Sequence, residues 1–65
     1  MTEIEKIKFQ IWACKQDNLR RGDQIDRSRS EKHRALLRSN IETTEREIER
    51  LRERLRTLQD LQKGD

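Results

Sequence analysis

From Leu37 to Leu58 seven residues alternate steps of four and three along the chain: Leu37, Ile41, Thr44, Ile48, Leu51, Leu55 and Leu58. That spacing puts all seven on one seam of an α-helix, whereas a strand would scatter them over two faces. The seam predicts a long heptad helix over about 29–62, with Ile41 and Ile48 at a and Leu51 at d, a combination that favours two parallel strands. Arg34 and Gln62 occupy the a positions at its ends, so only about three heptads are well filled. In a parallel pair Glu47 at g would face Arg52 at e of the second strand. Along one helix, Glu47–Arg50, Glu49–Arg52 and Glu53–Arg56 each add roughly 0.2–0.5 kcal/mol.

The rest of the composition agrees with helix. Proline is absent, glycine occurs twice, and Arg, Glu, Leu, Gln and Lys dominate, which leaves almost no strand signal and makes the fold class all-α. Hydrophobic residues are 29% and charged residues 45% of the 65, with both signs present and a net charge of +3, as suits a solvated helix surface. A chain this short is a single helical domain, 1–65, whose lone core would be marginal, so a partner chain is expected.

Upstream, Thr2 and Glu5 have the spacing of a capping box and predict a helix over about 3–20. Ile4, Ile7, Ile11, Trp12, Cys14 and Leu19 recur at three- and four-residue steps on one broad stripe, with Phe9 falling to its side. Between Arg20 and Ser30 only Ile25 is apolar. Gly22 offers a C′ glycine, Asp23 an N-cap, and Ser28 with Glu31 a second capping box, so the helix breaks within 21–30. Residues 63–65 are expected to fray.

These elements predict an αα-hairpin with a C-terminal coiled-coil helix, in which Ile4, Ile7, Ile11 and Cys14 lie opposite Ile48, Thr44, Ile41 and Leu37. Trp12 is then shielded near Leu37 and Ile41. The exposed remainder of the Leu51–Leu61 seam would form a homodimer or small bundle. The alternative is one continuous parallel coiled coil of about 90 Å, whose central seam would have to carry Arg29, Lys32 or His33. Ile4, Ile7, Phe9, Ile11, Trp12 and Cys14 are therefore candidates for hairpin core or for docking a protein partner.

Residues 20–38 hold Arg20, Arg21, Arg27, Arg29, Lys32, Arg34 and Arg38 against Asp23, Asp26 and Glu31, seven positive charges to three negative and a local net of +4. A basic helix beside a leucine seam resembles the outline of basic-zipper DNA-binding proteins, which would make these seven residues nucleic-acid contacts. Asn18 and Asn40 do not stand at that family's Asn–Arg spacing, and Asp26 and Glu31 would face phosphates. Nucleic acid is accordingly the second reading, behind a solvated basic face. Arg21-Gly22-Asp23 spells an integrin-binding tripeptide, but chance and helix-end chemistry account for it without a secreted, disulfide-framed display.

No grouping of residues predicts catalysis or a cofactor. Cys14 is the single cysteine and His33 the single histidine, so neither a zinc set nor a nucleophile with an oriented base can be assembled. Cys14 reads as a small core residue, and its solitary thiol fits a reducing cytoplasm. No apolar run reaches signal-peptide or membrane-spanning length, and no membrane partner is expected. In length, charge and lack of any motif the whole chain resembles the small coiled-coil accessory proteins of bacteriophages. That resemblance implies a protein that acts by binding a host or phage protein. The function expected is a non-enzymatic, homo-oligomeric helical module for protein interaction.

Overall fold

A computed structural model of the chain describes residues 2–63, the side chain of Lys63 excepted, as two helices: α1, Glu3–Arg27, and α2, Glu31–Lys63. They pack against each other as an antiparallel hairpin measuring 54 × 18 × 12 Å, and no strand occurs among the described residues. Gly64 and Asp65, in the tail expected to fray, lie outside the described residues, and Lys63 belongs to α2.

Each helix begins where a hydroxyl satisfies its free amides. Thr2 caps α1, its Oγ1 accepting from the Glu5 amide at 3.2 Å, with Glu3 and Glu5 placed favourably for the helix dipole in the first turn. At the start of α2 the cap is Ser30, two residues beyond the expected Ser28. Ser30 Oγ accepts from the His33 amide at 3.3 Å and Ser30 O from the Arg34 amide at 3.0 Å. Ser28 instead closes α1, its amide donating to Gln24 O and Ile25 O from an extended backbone. Both serines of the Ser28-Arg29-Ser30 corner are thus used, one for each helix.

α1 therefore reaches Arg27, past the expected end near residue 20, and Gly22 is an interior helical residue with no positive φ and nothing within 4 Å of where a Cβ would stand. The longer α1 moves the fold-back point toward α2 and slides the pairing. Ile11 packs with Ile48 where Ile41 was expected, and Glu3 pairs with Arg54 at 3.2 Å, so the expected pairing of Ile4 with Ile48 is replaced by one about seven residues, one heptad, farther along α2.

The seam is filled in two ways. Near the termini Ile7, Ile11 and Ile48 form the buried cluster, with Cys14, Leu51, Leu55 and Leu58 half-buried against it, and Ile7 retains 3% of its exposure. Each such isoleucine contributes about 1.5–3 kcal/mol by leaving water. Toward the turn the same seam positions carry Asn18 and Arg21. Arg21 Nη1 donates to Thr44 Oγ1 at 2.8 Å and to Asn18 Oδ1 at 3.0 Å, and Asn18 Nδ2 donates to Ile41 O at 3.4 Å. Leu37, beyond this polar layer, is buried separately. The layer explains why the helix continues where the apolar stripe stops: positions 18 and 21 still face α2, through hydrogen bonds in place of methyl groups.

Candidate interaction surfaces

The seam of α2 is turned toward α1 of the same chain. Leu37 and Ile48 are buried, and Ile41, Thr44, Leu51, Leu55 and Leu58 are half-buried. The residues expected to form a dimer interface thus build the hairpin first, and of the Leu51–Leu61 stretch only Leu61 remains as an exposed apolar side chain. The half-buried state of the others leaves an open side to the seam. A shallow groove along it is lined by Lys15, Asn18, Leu19, Ile41, Glu45 and Ile48.

The other surface is on the far side of α1. Trp12 is 57% exposed and Phe9 59%, their ring centroids 5.8 Å apart with a 32° tilt, and Leu19 is 65% exposed on the same helix. Trp12 is therefore not shielded beside Leu37 and Ile41, and Phe9 and Trp12 lie outside the core that Ile7 and Ile11 enter with Cys14 packed against it, while Ile4 is half-buried beside Leu58. The heptad of α1 explains it: with Ile4, Ile7, Ile11, Cys14, Asn18, Arg21 and Ile25 on the inner seam, positions 9, 12, 16 and 19 fall on the opposite face. Phe9, Trp12, Gln16 and Leu19 are themselves spaced three, four and three, a second stripe that was legible in the sequence once Trp12 and Leu19 were separated from the first.

Of the seven candidate nucleic-acid contacts, Arg20, Arg27, Arg29, Lys32 and Arg38 are exposed around the turn end. Arg21 and Arg34 are half-buried, Arg21 held in the polar layer and Arg34 paired with Glu31 at 2.6 Å. Arg34 Nε is buried without a hydrogen-bond partner. The integrin-like tripeptide is helical throughout, with its arginine bonded inward to Thr44 and Asn18, a conformation that does not offer the three residues as a loop. Cys14 is a free thiol packed on the apolar cluster. His33 Nδ1 lies 3.1 Å from Ser28 Oγ, where it braces the corner.

Among the described residues no three His, Cys, Asp or Glu side chains converge as a metal site requires, and no helix is long and apolar enough to cross a membrane. Comparison with protein families, with curated proteins and with solved structures finds no match to this chain.

Proposed function

We propose that this chain is a non-enzymatic helical interaction module that self-associates and docks a protein partner on the outer face of α1. The observation that carries the reading is the Phe9–Trp12 pair, two adjoining aromatics, tilted to each other, held in water on the side of the helix away from its own core. Exposed aromatic clusters of this kind are uncommon on monomeric surfaces, and tryptophan is among the side chains that most often dominate binding energy. Self-association uses the groove beside this face, at whose edge Lys15 and Leu19 stand. The half-buried seam residues gain cover when a second hairpin closes the groove at Ile41 and Ile48, giving a four-helix arrangement. In keeping with its likeness to small phage accessory proteins, its partner is a host or phage protein met in the cytoplasm.

Light scattering at high micromolar concentration is expected to give the mass of two chains or more, with helicity falling on dilution. The mass of a single chain at that concentration would exclude the self-association. The second reading, nucleic-acid binding, is favoured by one observation: the fold collects Arg27, Arg29 and Lys32 at the turn, with Arg20 and Arg38 on the helices that lead into it. A gel shift separates the two readings. Retention of mixed-sequence DNA or RNA at low salt, weakening steeply as salt is added, would favour the basic tip, and its absence removes that reading.

A further inference from the structure

The outer stripe of α1 has the form of a coiled-coil seam with no second helix on it. Phe9, Trp12, Gln16 and Leu19 keep the three-four-three spacing over about 15 Å of helix; Phe9, Trp12 and Leu19 are exposed and Gln16 is half-buried, with Leu19 also at the edge of the groove that holds Ile41 and Ile48. What flanks them identifies the occupant. In the heptad of this second seam, positions 6, 13, 20 and 8, 15 are the e and g sites beside it, and they hold Lys6, Ala13, Arg20, Lys8 and Lys15. Every charged flanking residue between 6 and 20 is therefore cationic. Lys6, Lys8 and Arg20 are exposed and have no ion-pair partner among the described residues. Lys15 also borders the groove that contains Glu45 and Glu49.

A second copy does not fit this seam. Antiparallel pairing of two stripes brings Lys8 against Lys15 and Lys6 against Arg20, and parallel pairing likewise sets one cationic edge on the other. An extended polyanion or an anionic lipid surface fits poorly as well. Glu5 and Asp23 stand in line with the stripe at its two ends, four residues beyond Phe9 and Leu19, where phosphates would continue.

We infer that the Phe9–Trp12–Leu19 stripe docks an amphipathic helix of another protein, one with an aliphatic seam and Asp or Glu in its flanking positions. The inference rests on the protein-docking reading above and adds the shape and charge of the partner. The electrostatic complement steers the encounter and sets specificity, while Trp12 and Phe9 supply the buried area.

The test uses the full chain and three synthetic four-heptad peptides with Leu at d and Ile at a, differing only in carrying Glu, Gln or Lys at e and g. Trp12 is the chain's only tryptophan, so its emission reports the stripe directly. The Glu peptide is expected to bind with a blue shift of Trp12 emission, at least about tenfold more tightly than the Lys peptide, the scale of a few cross-helix charge pairs. F9A/L19A should weaken it by about tenfold or more, as removal of anchoring side chains does, and K6E/K8E/R20E should reverse the preference toward the Lys peptide. All five of these positions are exposed, so far-ultraviolet circular dichroism is expected to show both variants folded. Equal binding of all three peptides with the Trp12 shift would overturn the acidic partner and leave protein docking standing. Binding insensitive to F9A/L19A, or a Trp12 shift produced by phosphatidylglycerol vesicles and by none of the peptides, would overturn the assignment of the stripe. No binding by any peptide would overturn the inference together with the docking reading.

Discussion

Replacing Ile48 by alanine is expected to remove about 2–5 kcal/mol, a large share of the hairpin's stability. Ile48 is the one buried residue of α2 in the terminal cluster, where it meets Ile7 and Ile11 together with the half-buried Cys14, Leu51 and Leu55. A buried isoleucine cut back to alanine costs about 2–5 kcal/mol, because the transfer energy is lost and a cavity remains. Folded chains of this size are stable by only about 3–10 kcal/mol in total. Among the described residues four hydrophobic side chains are buried, three of them in this cluster. Urea denaturation followed by circular dichroism should show the midpoint of Ile48→Ala falling steeply relative to the unmodified chain. Leu61→Ala, which removes a comparable side chain from an exposed position of the same helix, should leave it nearly unchanged. Equal tolerance of both substitutions would mean that the helices do not depend on packing against each other.

The polar layer gives the second large effect, of opposite sign. Asn18→Leu with Arg21→Leu should raise the stability of the hairpin by about 1–3 kcal/mol, since two aliphatic side chains then extend the seam toward Ile25. The groups left behind are not orphaned, because Thr44 Oγ1 also donates to Asn40 O at 2.9 Å and the Ile41 carbonyl lies within α2. The expected cost is specificity. With Asn18 and Arg21 gone, the alignment of α1 on α2 keeps the exposed Glu3–Arg54 pair, which is worth little, and longer-register or multi-chain pairings become comparable in energy. Urea denaturation should show a higher midpoint, and sedimentation a broader distribution of species than the parent. A lower midpoint would show that the hydrogen bonds of the layer outweigh the apolar area that replaces them.

Much of this architecture was legible from local chemistry. The heptad from Leu37 to Leu58, the Thr2 cap and the loss of apolar pattern before Leu36 together specify two helices and a turn. What escaped was the end of α1. Asn18 and Arg21 look like a break because seam recognition counts methyl groups, and Gly22-Asp23 supplies familiar helix-end residues at the same place. Only the hydrogen bonds from Arg21 to Thr44 and from Asn18 to Ile41 show that these side chains continue the seam. With that displacement go the shifted pairing and the cap at Ser30 in place of Ser28. The outer stripe was missed for a related reason: Trp12 and Leu19 lie within one residue of the inner positions Ile11 and Asn18, and a broad stripe absorbs both.

The central claim, that α1 folds back on α2 in this alignment, is tested most directly by a spin-label distance between residues 10 and 47. Both are exposed, and they stand at the same offset along the hairpin as Glu3 and Arg54, which touch at 3.2 Å. Cys14 is replaced by serine so that the labels are unique, and labelled chains are diluted with unlabelled ones so that only intrachain pairs are read. The hairpin predicts a separation below about 20 Å, two labels on adjacent helices whose axes lie 8–10 Å apart. A distance near 55 Å, the length of 37 residues of straight helix at about 1.5 Å each, would contradict it and show α1 and α2 running on as one rod.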